Sequence, residues 1–187
     1  RYTYYATRDD PEKNPVFFKR KDYPDIVYRT EEAKLRSIGQ EILFYHLLGR
    51  PQLIGTTSVE LSDRLSDRLS MESIRRVLQT LLIRDAWMKK NNREMIEQKV
   101  EELEFLNEPL DQLNVAQMRK YAREIGLESV NPQDPENLKR LLEILNLPEA
   151  YSTRLNDVIS AGVPHRVLNA RKHDEEALII SKAGAFG

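Results

Sequence analysis

The sequence predicts an α/β fold, a partial parallel sheet interrupted by an inserted all-α helical subdomain. Three observations carry that expectation. Two short apolar runs, Gln52–Thr56 and 165–168, each emerge from Gly and Pro punctuation and lead towards a helix, the pattern of a strand feeding a helix. About a hundred residues between them show helical periodicity and no strand pattern. Each run is also followed by hydroxyls or carboxylates placed to cap the next helix. The two runs are therefore expected to be neighbouring parallel strands.

Residues 1–28 are rich in Tyr, Phe and charge, with Pro11, Pro15 and Pro24 interrupting any helix. Extended segments are expected, with short strands at 16–18 and 26–28. The aromatics Tyr2, Tyr4, Tyr5, Phe17 and Phe18 beside Lys19, Arg20 and Lys21 admit a stacking platform for single-stranded nucleic acid. Asp9, Asp10, Glu12 and Asp22 dilute that charge, which favours a strand with a buried aromatic face.

Thr30, followed by Glu31 and Glu32, is the expected N-cap of a helix whose apolar stripe is Leu35, Ile38, Ile42 and Tyr45. Gly49 and Pro51 stop it, and it should pack on the sheet. After the first run, Thr57 and Glu60 have the spacing of a capping box, and Leu61, Leu65 and Leu69 recur on one helical face. Ile74, Leu78, Leu81 and Leu82 predict the next helix; Ile96, Val100, Leu103 and Leu106 predict another, ended at Pro109. Asn114 starts a third, with Met118, Ala122 and Ile125 beneath it and Gly126-Leu127 as its cap. Asp134-Pro135 opens a fourth over Leu138, Leu141, Leu142 and Leu145, and a fifth through Tyr151, Leu155, Val158 and Ile159 returns the chain to Gly162. Residues 172–183, with Asp174, Glu175 and Glu176 in the first turn and Gly184 as cap, read as the last helix.

These boundaries divide the chain into a discontinuous α/β part, 1–69 with 161–187, and a helical insertion, 70–160, expected to carry its own core. Such an insertion is tolerated because loop-closure entropy grows only with the logarithm of length.

The 187 residues carry 29 basic and 30 acidic side chains, so a net charge of -1 predicts no general attraction to nucleic acid or anionic membrane. The absence of cysteine excludes disulfides and thiolate metal sites. No apolar run approaches the roughly 20 residues of a membrane span. The first residue is not Met, and the chain is expected to be a piece of a longer one.

The informative chemistry is an absence. No G-x-x-x-x-G-K-[ST] phosphate loop occurs among the seven glycines, and no aspartate follows an apolar strand in the manner of a magnesium-holding motif. No catalytic, cofactor-binding or metal-ligating residue is therefore assigned. His165 and His173 straddle a turn without a third ligand at recognisable spacing. No Ser-His-Asp set stands out, and Trp87 reads as a core anchor.

Three blocks, KDYPDIVYRTEEAKL, GRPQLIGTTSVELSDRLS and AGVPHRVLNARKHDEEALIISKAG, resemble consecutive blocks of the SecA preprotein translocase ATPases. They stand in the family's order and cover about a third of the chain. The resemblance implies part of the second of two RecA-like motor domains, of the helicase type, with the helical stretch where the family carries a variable insertion. It also implies a longer parent that binds ATP and magnesium at the cleft between its motor domains, with the phosphate loop in the first nucleotide-binding domain. That parent would move preproteins through the SecYEG channel, and would be cytoplasmic with peripheral association at the inner face of the cell membrane. On the same resemblance Thr56, Thr57 and Glu60, with Asn169 and Arg171, fall in blocks that scaffold the motor and relay its motion. Sheet core and helix caps explain Thr56, Thr57, Glu60 and Asn169 equally well. The 1–15 region and the long insertion depart from the family.

The alternative is a non-enzymatic binding module, for nucleic acid or a protein partner, on an α/β scaffold. Residues 113–147 are similar to the helix-loop-helix modules of the SAP and Rho N-terminal type. The 13 basic and 16 acidic residues between 70 and 160 have the wrong balance for tracking phosphates, so no nucleic acid is expected.

Overall fold

The computed structural model describes residues 2–5, 16–19, 24–93, 100–169 and 177–181. A hairpin pair, β1 (Tyr2–Tyr5) and β2 (Val16–Lys19), is followed by α1 (Glu31–Leu47), β3 (Gln52–Thr56), α2 (Val59–Arg68) and α3 (Met71–Lys90). A 3-10 segment (Glu101–Asn107) precedes α4 (Val115–Glu124) and α5 (Pro135–Ile144). A short 3-10 turn (Glu149–Tyr151), α6 (Ser152–Ala161), β4 (His165–Asn169) and β5 (Ala177–Ser181) complete the order.

The caps explain most boundaries. Thr30 accepts a hydrogen bond from the Ala33 N–H at 3.1 Å and Asn114 one from Gln117 at 3.1 Å, so α1 and α4 start where their N-cap residues predict. Pro135 sits in the first turn of α5, where its missing N–H costs nothing. At the end of α4, Gly126 takes a φ of +89°, and the Leu127 N–H reaches back to the Ala122 carbonyl at 2.8 Å. Asn146 ends α5 in the same way, with Leu147 bonded to Leu142 at 2.8 Å.

Four expectations are corrected. Residues 26–28 form no strand; Ile26 and Val27 stand 70% and 93% exposed beside Pro24, with no partner strand among the described residues. The segment after Val100 is a 3-10 helix rather than an α-helix, while Ile96 lies outside the described residues. The α2 cap is Ser58, whose hydroxyl accepts from the Leu61 N–H at 3.1 Å; the chain extends one residue further than the Thr57 capping box required.

The fourth concerns the sheet. Its order is β3-β5-β4, with β5 antiparallel to both neighbours and Ser181 opposite Gln52 on one side and His165 on the other. Strands β3 and β4 thus run in the same direction but do not touch, and the sheet is not parallel. Ala177–Ser181 occupies the gap as a strand where the sequence predicts part of a helix over 172–183. A contiguous run of Leu178, Ile179 and Ile180 satisfies a buried strand as well as a helix, and periodicity alone cannot separate the two. Two strands presenting unpaired N–H and C=O groups to a common gap favour the strand. Residues 172–176 and Gly184 lie outside the described residues.

The buried apolar residues form one cluster that runs from Leu35 and Leu47 of α1 through Leu65, Leu69, Ile74 and Leu82 to Leu155 and Val163. The helical stretch was expected to have a separate core; among the described residues the apolar cluster is continuous across residue 70 instead. Trp87, at 7% exposure, anchors it as the sequence predicts. The abundant cations serve this packing. Arg36 donates to the Leu106 carbonyl and, at 2.6 Å, to that of Glu108; Arg76 donates to Leu113 at 2.7 Å, and Arg75 to Ile159 at 2.8 Å. Arg154 reaches the Leu47 carbonyl at 3.1 Å and Lys90 that of Glu124 at 2.9 Å. Carbonyls near segment ends, which lack intrahelical donors, are satisfied by side chains from distant segments.

Candidate functional site

The residues singled out by sequence converge on one end of the small sheet and on α2. Thr56, the last residue of β3, and Asn169, the last of β4, both face Ala177 of β5 and so share one row of the sheet. The Thr56 hydroxyl donates to the Ser58 carbonyl at 3.1 Å, tightening the turn into α2. Thr57 and Glu60 on that turn are exposed. Arg171 and His173 lie outside the described residues.

Helix α2 is held from three sides. On β4, the Nδ1 of His165 lies 2.7 Å from the Val163 carbonyl, which can only accept. Nδ1 therefore carries a proton, and in the neutral ring Nε2 accepts from the Ser66 hydroxyl at 2.6 Å. From α1, Glu32 pairs with Arg68 at 2.5 Å and Glu31 with Arg64 at 2.6 Å, and Glu32 also lies 3.4 Å from Arg36. Burial pushes the Arg36 guanidinium below its ordinary range, and Glu32 partly restores it.

The third side is the junction with the helical stretch. The Val163 N–H donates to the Leu69 carbonyl at 2.9 Å, so the chain leaves towards α3 and returns from α6 at one hydrogen-bonded point. Gly162 makes this approach possible. Its φ is +79°, and a Cβ there would lie 2.6 Å from the Leu69 oxygen and 2.8 Å from the Met71 nitrogen. Ser58, Ser66, Gly162 and the His165 tether are missed by sequence reasoning, although the Gly162-Val163-Pro164 triplet marks a turn there.

His46, 9% exposed, lines an apolar groove of about 430 Å³ between the end of α1 and α6, with Arg154, Val158 and Pro164. Burial lowers its pKa below the ordinary histidine value, and Arg154 adds to the effect. The unfolded chain therefore binds this proton more readily, and stability is lost as pH falls through the unfolded value of about 6.5 towards the lowered folded one. The expected result is an unfolding free energy that rises with pH up to about one unit above the unfolded value, a dependence that flattens in His46→Phe. Denaturant titrations across that window check it; an unchanged slope in the variant contradicts it.

No group of three or more His, Asp or Glu that could hold a metal occurs among the described residues. No G-x-x-x-x-G-K-[ST] phosphate loop occurs in the sequence either. The isolated chain is expected to show no micromolar ATP binding by calorimetry in magnesium buffer and no hydrolysis; tight binding would refute this.

The described residues thus form an α/β scaffold whose strand-turn-helix is tethered to a helical appendage. Residues 17–107 match the family model described as the SecA P-loop domain. The chain belongs to the SecA family. It is 29% identical over 168 residues to the protein translocase subunit SecA of Aquifex aeolicus, covering 90% of this chain and 12% of that protein. It is 34% identical over 174 residues to the protein translocase subunit SecA of Thermus thermophilus, covering 93% of this chain and 16% of that protein. A Synechococcus SecA is 52% identical over 59 residues, 32% of this chain and 6% of that protein. The Aquifex and Thermus matches are long enough to cross the helical stretch, whereas the Synechococcus match is not. The chain thus spans 12 to 16% of the length of the first two. No solved structure matches it.

Proposed function

We propose that this chain is the non-catalytic α/β part of the second, RecA-like motor domain of a SecA-type export ATPase, and that its helical subdomain tunes the motor. The division is that of the sequence, 1–69 with 161–187 for the motor part and 70–160 for the subdomain. In the whole protein ATP and magnesium would sit at the cleft between the motor domains, with the phosphate loop in the first nucleotide-binding domain. The energy released would move preproteins through the SecYEG channel, with the motor in the cytoplasm and peripherally attached at the inner face of the membrane. Thr56, Thr57, Glu60, Asn169 and Arg171 take the role of scaffold and relay, and none is assigned to chemistry.

The observation that carries this reading is the junction at Leu69 and Gly162. Helix α2, the helix of the motor part's strand-turn-helix, ends on the carbonyl that binds the returning chain. A displacement of the subdomain therefore pulls on α2, and through His165 on β4. The names of the relatives support the export role, and no helix of the described residues is long and apolar enough to cross a membrane. The test is a full-length protein in which 70–155 is replaced by a short Gly/Ser linker, compared with the intact protein for basal ATPase and nucleotide release. A changed rate with hydrolysis retained supports the reading.

A further inference from the structure

We infer that the cavity between α3, α4 and the loop after α4 is a binding site for a small, multiply charged phosphate anion. This cavity, about 440 Å³, is lined by Arg75 and Gln79 of α3, Arg119 and Arg123 of α4, and Glu128 and Ser129 of the loop. Three arginines line it against one glutamate. The site is independent of the motor reading and rests on the cavity alone.

Seven arginines elsewhere are held by oxygen partners; the side chains of Arg29, Arg50, Arg93 and Arg166 have no hydrogen bond or ion pair among the described residues either, but none of these four lines this cavity. Arg36, Arg64, Arg68, Arg76, Arg84, Arg140 and Arg154 each donate to a carbonyl or side-chain oxygen or pair with a carboxylate. The side chains of Arg119 and Arg123 have no such partner among the described residues, although they lie one helical turn apart. Like charges at that spacing repel, and Arg75 adds a third from the facing helix. Such an arrangement costs stability unless an anion completes it, and the guanidinium fork suits phosphate oxygens.

The walls are prebuilt. Asn137, 5% exposed, donates to the Ser129 carbonyl at 3.0 Å and the Asn131 carbonyl at 2.9 Å, which fixes the loop. Arg75 is anchored by its Nε on the Ile159 carbonyl at 2.8 Å. Its Nη2 makes only a long contact, 3.4 Å, with the exposed Gln133 amide oxygen, which an anion can displace. The Gln79 Oε1 is buried without a hydrogen-bond partner among the described residues. Rotating that amide by half a turn exchanges its oxygen for an NH2 donor, which an anion would accept. The excess of acidic residues between 70 and 160 disfavours a long polyanion spreading beyond the cavity, whereas a compact anion stays within it.

Pyrophosphate is the probe, titrated into the full chain at about 0.15 M ionic strength, where charges outside the cavity are screened, by calorimetry or nuclear magnetic resonance. Saturable, sub-millimolar binding is expected, weakened about tenfold or more in the double variant Arg119→Gln/Arg123→Gln. Both side chains are exposed and without a hydrogen-bond or ion-pair partner among the described residues, so that variant should fold. Lys120→Gln/Lys139→Gln removes the same charge outside the cavity, and should change the affinity less than about twofold. Absence of saturation, equal losses in the two double variants, or affinity for single-stranded oligonucleotides that rises with their length would each overturn the proposal. Binding to anionic phospholipid vesicles without any response to free pyrophosphate would overturn it as well.

Discussion

Gly162→Ala is expected to destabilise the chain by about 2 to 6 kcal/mol, the sum of two costs. A φ of +79° is a conformation that residues with a Cβ rarely adopt, and holding alanine there costs about 1 to 3 kcal/mol. The new Cβ would also meet backbone at 2.6 and 2.8 Å, atoms that cannot swing away like a side-chain end, so the junction must open. Overpacking of this kind costs about 1 to 3 kcal/mol more. Against a total stability of about 5 to 15 kcal/mol for a domain, the loss is large. Two other glycines separate the two costs. Gly126 also has a positive φ, but nothing lies within 4 Å of the point where a Cβ would stand, so Gly126→Ala should cost only the conformational part. Gly55 has open space and no positive φ, and Gly55→Ala should stay within about 0.5 kcal/mol of the parent. Urea midpoints of the three variants check the order. Equal losses at Gly162 and Gly126 would show that the contact with α2 and α3 is not held in solution.

Replacing 70–155 in the full-length parent is expected to change basal ATPase or nucleotide release while leaving ATP-dependent chemistry intact. A subdomain shifts an opening equilibrium only by the difference in its interactions with the open and closed states. A difference of about 1 to 3 kcal/mol corresponds to roughly 5- to 150-fold in the affected step. The route for that energy is the Leu69–Val163 hydrogen bond and the His165–Ser66 tether, both of which end on α2. The continuous apolar cluster makes folding of the deletion protein a necessary control, because Leu65 and Leu69 pack into the same cluster as Ile74. His165→Ala in the intact parent provides a milder version, removing one tether while keeping the core. Abolished hydrolysis in a folded deletion protein, or rates identical to the parent with and without preprotein, would count against a tuning role.

The helices were legible because their signals are local. Thr30, Asn114 and Pro135 announce their own helix starts, and the Leu61, Leu65, Leu69 and Ile74, Leu78, Leu82 stripes name residues that the core takes up. The absence of a phosphate loop was equally plain, since that motif is contiguous in sequence. The candidate residues Thr56 and Asn169 were also picked from sequence, but their common row on the sheet was not, because it depends on the register of β5 between them.

What sequence by itself determined is the family blocks, the helical character of 70–160 and most of the apolar face residues, all readable within a few turns of chain. Tertiary structure alone decided that β5 separates β3 from β4 and that one apolar cluster crosses residue 70. It alone brought Gly162 against Leu69 and gathered Arg75, Arg119 and Arg123 around one cavity. The physical reason is range. A cap or an apolar stripe is set by neighbours three or four positions away, whereas strand order, a backbone contact between residues 69 and 163, and convergence of charges from two helices depend on which surfaces finally pack together.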